Sequence, residues 1–430
     1  MPIPQPRRLA LVLGSALLLR LGLFAFTGVS TALERRPELT SPLTSFRSLS
    51  EGVFLRDTGF DPYAGGVFHH SPLYLLFFSY IIPVYSRALT AVLWSLADVL
   101  GGILLVRVWQ ARSAASTSKT TPADTSRDYL VALLYLFNPY TLLSCLARST
   151  TSLDNVLTLA AISGAFTGQN LLSVVALAVA AQTSWYPLFL LPAVILVQQR
   201  YSGPSGTSWI VDTAAFLSFF GSLTLFSVNV LGTSWITRTW GLVLTASDLT
   251  PNVGMWWYFF TEIFDHFRLF FQGVFQFHLA IYVAPLCLRL DDPAFILLIQ
   301  LGAISTWKSY PTLGDMALWA GFLGCFPEII ANLQHPLLSL TVHLYTSILL
   351  PLLHSLWLLT GTGNANFFYA ATMVYGLNST LTIADVLGAG IVHNVKSKLK
   401  GLLTTTDGTS TSDGEDAGDW SIVQLASLDG

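Results

Sequence analysis

Charge is scarce in this chain. Of its 430 residues only 10% are Asp, Glu, Lys or Arg, while 53% are hydrophobic. A soluble domain carries about 25% charged residues. The shortage runs along the whole length, so it excludes a soluble body with one anchor. Positive charge is not in excess either. The net charge of −3 leaves no broad basic surface for nucleic acid. Cysteine is nearly absent. Cys145, Cys287 and Cys325 all lie in apolar runs, with no CxxC and no Cys/His pairing, which argues against a zinc site or a disulfide framework. No internal repeat is visible, which argues against the paired halves common in transporters.

Long apolar runs are plentiful. A spanning helix needs roughly 20 predominantly apolar residues. Runs approaching that length cover 9–27, 86–107, 128–146, 153–168, 170–182, 184–199, 209–231, 258–288, 293–307, 314–333, 337–359 and 367–389. The reading is an all-α polytopic membrane protein with about a dozen transmembrane helices. Arg7 and Arg8 before the first run resemble the start of a signal peptide. No small-residue cleavage site follows, so the run is expected to stay as a first helix. Residues 71–84 look like a shorter embedded segment, broken by Pro72 and Pro83. Residues 1–400 then form one multi-span domain.

The polar stretches divide the rest. Residues 28–66 form a charged loop, in which Arg35, Arg36, Arg47 and Arg56 alternate with Glu34, Glu38, Glu51, Asp57 and Asp61, suggesting a small folded element. Residues 108–127 read as a flexible loop and 200–208 as a Gly/Ser turn. Residues 401–430 are mostly an acidic, disordered tail. Lys and Arg between the spans put 108–127 and the tail on the cytosolic side, and 28–66 and 360–366 on the opposite, luminal side.

Four places could carry chemistry. In FDPYAGGVFHHSP (60–72), His69 is either an interfacial turn residue or a polar group lining a luminal cavity. In LTPNVGMWWYFFTEIFDHFRLFF (249–271), Glu262, Asp265 and His266 fall at i, i+3 and i+4, the spacing of one helical face. Structural ion pairing competes there with contact to a lipid headgroup or a partner, and no second segment offers the third ligand a metal would want. Lys308 and Asp315 bracket a Tyr-Pro turn in WKSYPTLGD, most simply a turn that ends two helices. In GTGNANFFY (361–369), Asn364 and Asn366 set amides beside Phe367, Phe368 and Tyr369. Amides suit sugar hydroxyls or phosphate, although one Asn is explained by a helix cap. Asn378-Ser379-Thr380 matches a glycosylation acceptor but falls inside the last run, so it is expected to be unmodified.

These blocks, with SPLTSFRSLSEG (41–52), NPYTLLSCLARST (138–150) and KSYPTLGDMAL (308–318), resemble the PIG-U family of glycosylphosphatidylinositol (GPI) transamidase subunits, in the family's order from near residue 40 to about 385. The resemblance implies a multi-pass endoplasmic reticulum protein that is a non-catalytic subunit, without cofactor or metal, helping to bind and present the GPI lipid for attachment to protein C-termini. It implies a membrane fold similar to that of the multi-span (GT-C-like) mannosyltransferases. The partners it implies are the cysteine-protease-like catalytic subunit PIG-K, PIG-T, PIG-S and the GPI-anchor attachment protein. It places Asn364 and Asn366 near the lipid-linked glycan, and makes 256–271 similar to the family block proposed to recognise long-chain lipid. GPI or lipid contacts are therefore expected at Asn364, Asn366, Phe367, Phe368, Tyr369, Glu262, Asp265, His266 and His69. The rival reading is a dolichol-phosphate-sugar-dependent glycosyltransferase. It needs a carboxylate base in the first luminal loop, where Glu51, Asp57 and Asp61 form no adjacent pair.

Overall fold

A computed structural model describes residues 5–116, 126–201 and 207–406. All regular elements among them are helical. The N-terminal part runs α1 (Gln5–Ala25), α2 (Thr27–Leu33), α3 (Phe46–Asp57), α4 (Pro72–Tyr80) and α5 (Arg87–Ser116). The next part contains α6 (Asp128–Leu136), α7 (Pro139–Leu146), α8 (Thr151–Phe166), α9 (Asn170–Ser184), α10 (Leu191–Tyr201) and α11 (Trp209–Leu231). A short bent segment follows, α12 (Ser234–Ile236), a π-helical turn (Thr237–Gly241) and α13 (Leu242–Thr245). The chain then forms α14 (Trp256–Glu262), α15 (Asp265–Ile281), α16 (Val283–Arg289), α17 (Pro293–Trp307), α18 (Leu313–Leu323), α19 (Pro327–Ile330), α20 (Pro336–Leu358) and α21 (Ala365–Thr406).

The main core is built from α5, α6, α8, α9, α10, α17 and α18, with Leu105, Tyr135, Ile162, Leu177, Leu297 and Phe322 fully or almost fully buried. Around it stand helices whose side chains are apolar yet exposed, such as Leu18, Leu225, Leu269 and Leu337, each more than 60% accessible. Apolar surface of that extent needs lipid or protein against it. Among the described residues five segments are long and apolar enough to cross a bilayer: Pro6–Ala25, Arg87–Ala115, Trp209–Leu231, Asp265–Arg289 and Pro336–Leu358.

That number is smaller than the dozen apolar runs suggest, for identifiable reasons. The run 128–146 is two helices bent by 52°, or a sixth span if the pair counts as one. The break sits at Pro139, which has no N–H and forces the preceding residue toward extended backbone. Asn138 adopts that conformation and caps the new helix by accepting from the Tyr140 N–H at 2.9 Å. The run 258–288 is broken at Ile263 and Phe264, both extended. Helices α8, α9, α10, α17 and α18 have 16, 15, 11, 15 and 11 residues. At roughly 1.5 Å per residue these fall short of a hydrocarbon layer about 30 Å thick. The segment 71–84 is the nine-residue α4, with Ser71 as its cap and Tyr74, Leu75 and Phe78 buried.

The loop regions also differ from their sequence reading. Helix α5 continues to Ser116, so 108–116 is helical rather than loop, while 117–125 lies outside the described residues. The final helix extends 42 residues to Thr406. The remainder of the acidic tail, 407–430, also lies outside the described residues. The charged loop 28–66 is folded, as its interleaved charges suggest. Glu34 pairs with Arg148 at 2.5 Å, and Arg56 donates to the Tyr80 hydroxyl at 2.7 Å. All three cysteines are free.

One ion pair lies inside the helical body. Arg20, which interrupts the first apolar run, is fully buried, and its Nε is 2.9 Å from Asp98 Oδ2 on α5. The same guanidinium donates to the Leu136 carbonyl at 2.8 Å, at the end of α6 where the bend frees it. On α1 itself it donates to the Ala16 carbonyl at 3.2 Å.

Candidate functional site

The turn joining α20 to α21 is closed by the Leu356 carbonyl, which accepts from the N–H groups of Thr362 and Gly363 at 3.0 and 2.9 Å. Gly361 has φ +67°, a conformation glycine adopts without strain. A Cβ on Gly363 would lie 3.3 Å from the backbone of Leu356 and Trp357, so this glycine serves the turn rather than an approaching ligand. Asn364 is the helix cap: its Oδ1 accepts from the Phe367 N–H at 3.2 Å. Asn366, one turn position on, is exposed and has no hydrogen bond among the described residues. It is the spare amide of the pair.

The structure brings this turn against the aromatic block of α14. Trp257 packs on Phe368 with ring centroids 6.0 Å apart and on Trp357 of α20 at the same distance. Tyr258 meets Tyr369 at 4.5 Å. Phe368 is completely buried, whereas Phe367 is 57% exposed. Outside this stack opens a shallow groove of about 420 Å³, lined by Tyr258, Phe259, Glu262, Ile263, Phe264, Phe271 and Tyr369. Its surface is almost wholly apolar except for Glu262. Two blocks about 100 residues apart in sequence therefore form one site.

The shared helical face expected of Glu262, Asp265 and His266 does not form. The extended residues Ile263 and Phe264 end α14 after Glu262 and restart the helix at Asp265. All three side chains are exposed, and among the described residues none takes part in an ion pair. Alanine at any one of them is accordingly expected to change stability by less than about 0.5 kcal/mol. Immunoblots of membranes should give normal amounts of each variant; a marked drop would restore the structural reading of this cluster.

Helix α15 is held in an unusual sense. Three of its polar residues face the protein, while part of its apolar surface faces out. Arg268, Gln272 and Gln276 recur every four residues and donate to the carbonyls of Ala246, Thr245, Val243 and Leu244. Those carbonyls belong to the end of α13, where the last turn of a helix leaves its acceptors unmet. On the other side Leu269, Phe270, Val274 and Phe277 are exposed.

The other sequence candidates have local structural roles. His69 is buried and contacts the Arg238 carbonyl through Nδ1 at 2.8 Å; it is absent from the groove. Its neighbour His70 donates through Nε2 to the Ser45 carbonyl at 2.8 Å, and burial pushes its pKa down to about 4. Burial also pushes the Glu38 carboxyl up to about 7. Lys308 pairs with Asp315 at 2.6 Å, and Asp315 closes a capping box with Thr312, so this turn does end two helices. Asn378 is buried on α21 and donates to the Ser339 carbonyl of α20, closed to glycosylation. The sequence reading missed Trp257, Tyr258 and Trp357 as individual residues of this stack; the aromatic density of 256–271 was the only signal for the first two, and Trp357 on α20 had none.

Residues 14–375 match the sequence model of the family described as GPI transamidase subunit PIG-U. The mouse protein called GPI-anchor transamidase component PIGU is 35% identical over 424 residues, covering 93% of this chain and 98% of its own. The human protein of the same description is 35% identical over 425 residues, with the same coverage. The GPI transamidase component GAB1 of Saccharomyces cerevisiae is 33% identical over 370 residues, covering 84% of this chain and 89% of its own.

Proposed function

The chain belongs to the PIG-U family of GPI transamidase subunits, and from that premise we propose that it binds and presents the GPI lipid to the transamidase without performing the chemistry itself. The observation that carries the lipid role is the stacking of the 361–369 turn on α14, with an apolar groove beside it. Acyl chains need apolar wall and no hydrogen bonds, which Phe259, Phe264 and Phe271 supply. A headgroup needs donors at the rim, where Asn366 has a free amide. The exposed face of α15 sets this groove directly against lipid. The non-catalytic reading is supported by the loop carboxylates. Asp57 and Asp61 are exposed, and Asp61 is engaged with the Tyr63 N–H at 3.0 Å. The described residues hold no group of three or more His, Cys, Asp or Glu able to bind a metal.

The proposal extends to partners and place. The chain works in the endoplasmic reticulum membrane beside PIG-K, PIG-T, PIG-S and the GPI-anchor attachment protein. Its shorter helices α8, α9, α10, α17 and α18 complete a mannosyltransferase-like membrane fold of about a dozen crossings, with local bilayer thinning absorbing their shortfall. Gentle solubilisation should co-purify these subunits. A solitary protein that transfers sugar to a lipid acceptor would overturn the reading. Replacing Tyr258 and Tyr369 together by alanine should lower GPI lipid retained by the purified complex while leaving its subunits in place; unchanged lipid content would remove the groove from the account.

Topology gives a further check. The tip at Thr58–Asp61 is exposed, whereas Thr40, Ser41 and Thr44 are buried, so a reporter belongs at the tip. A glycosylation acceptor made by Gly59→Asn with Asp61→Thr should be modified, and one placed after residue 410 should not. Asn tolerates the positive φ of +85° at position 59. The reverse pattern would invert the proposed orientation.

A further inference from the structure

Helix α21 outruns the membrane. About 20 helical residues cross a hydrocarbon layer about 30 Å thick, so a helix that starts at Ala365 reaches the far side near residue 385. Asp385 marks that level. It accepts the N–H groups of Gln334 and His335, at 3.1 and 3.0 Å, just before α20 begins. Ile391, Val395 and Leu399 lie beyond it, Val395 by about 15 Å and Leu399 by about 21 Å. They recur every four residues, so they share one helical face, and they are 45%, 38% and 47% exposed. Three apolar side chains in line, past the hydrocarbon, need cover. Lys398 flanks this stripe on one side and Lys396 on the other, both exposed. Lys398 meets Asp291 at 2.5 Å, and Arg200 donates to the carbonyl of the same residue at 3.2 Å. The neighbouring Asp292 is turned to Arg112 at 3.8 Å. Two lysines and an arginine thus surround one carboxylate, and the end of α21 keeps a positive excess.

The same chain carries the complement. Residues 407–419 hold Asp407, Asp413, Glu415, Asp416 and Asp419 and no Lys or Arg. Directly after them come Trp420, Ile422, Val423, Leu425 and Leu428. An acidic run ending in an apolar block matches a basic helix end with an apolar stripe. The lengths agree as well. From Thr406 back to Val395 is 11 residues, about 16 Å along the helix. A 13-residue spacer rich in Gly, Ser and Thr, as 407–419 is, has an r.m.s. span of about 20 Å. A spacer matched to the distance it bridges gives an effective concentration in the millimolar range, so even a weak contact is populated. The bilayer is a poorer home for the block, because the acids before it are repelled by a negatively charged cytosolic leaflet. We propose that residues 420–428 fold back onto the Ile391, Val395 and Leu399 face and cover the end of α21 as an intramolecular clasp. This goes beyond the lipid role and does not depend on it.

Photocrosslinking of the full chain, in its intact complex in nanodiscs, tests this with p-benzoylphenylalanine in place of Trp420. Mass spectrometry of the digest should find the adduct on the α21 peptides that contain residues 391–399. Val395→Asp with Leu399→Asp should lower its yield about fivefold, because carboxylates then face apolar side chains and the acids before them. Ile422→Asp with Leu425→Asp should lower it by a similar factor, and that pair leaves every residue of the helical body unchanged. Adducts on lipid would assign the block to the membrane, and adducts on another subunit would assign it to a partner; either in place of α21 overturns the clasp. An undiminished yield in either double variant overturns it too. Lipid retention in the Tyr258 and Tyr369 variant is read separately, so the clasp and the lipid groove can fail independently.

Discussion

Replacing Arg20 by methionine should cost about 3–5 kcal/mol, the usual effect of breaking a buried ion pair from one side. Three things are lost together. Asp98 is left buried without its counter-ion, the freed Leu136 carbonyl at the α6–α7 bend loses its donor, and α1 loses its tie to α5. Beside this pair, α1 meets the core through one edge, where Leu9, Val12, Leu13 and Ala16 pack. The variant should be scarce in membranes, and what is recovered should lose its fold at a lower temperature in detergent. Fluorescence-detected size-exclusion chromatography after a heating series measures both. Replacing the pair by Arg20→Met with Asp98→Leu should restore much of the loss, since apolar residues of similar volume can stand in for a buried pair. Normal abundance and melting of the single variant would show that the pair contributes little.

Removing the amides of Asn364 and Asn366 together should weaken GPI use by about one to three orders of magnitude at limiting lipid. Each side-chain hydrogen bond contributes roughly 0.5–1.5 kcal/mol, and up to about 3 when the partner is charged. The loss should be unequal between the two positions. Asn364 spends its oxygen on the Phe367 N–H, whereas Asn366 is free. Asn366→Ala should account for most of the defect. Asn364→Asp should keep the cap and remain stable, because Asp caps as well as Asn. Asn366→Asp should fail, because a carboxylate there repels the lipid phosphate. The measurement is GPI attachment to a reporter protein at low GPI supply, beside an immunoblot of the complex. Full attachment with Asn366→Asp would remove the amide from lipid binding.

The sequence disclosed the membrane setting and the aromatic blocks because both are properties of local composition. It did not disclose where helices stop when nothing breaks them chemically. Ile263 and Phe264 are apolar and flanked by no proline or glycine, yet the helix ends there, and Arg268 returns to donate to the Phe260 carbonyl at 3.2 Å. That break is a tertiary effect, and it dissolved the supposed face of Glu262, Asp265 and His266. At Pro139 the breaker was in plain view, and the bend follows from it. Arg20 was visible as an intruder in an apolar run, but its partner lies 78 residues away and no spacing rule connects them. Nothing in GTG (361–363) tells a turn from a ligand loop; the structure uses its glycines for the turn.

The outward-facing hydrophobicity of α15 makes its attachment depend on the medium around it. Arg268, Gln272 and Gln276 grip carbonyls that have no alternative partner in hydrocarbon. Water competes for such acceptors, and oil does not. The helix is therefore clamped by the bilayer and loosened by a hydrated detergent shell. A preparation that strips lipid away would release first the wall nearest the groove, and with it Phe271. Choice of solubilising agent thus acts on this protein as a chemical variable, with retained lipid serving as the clasp.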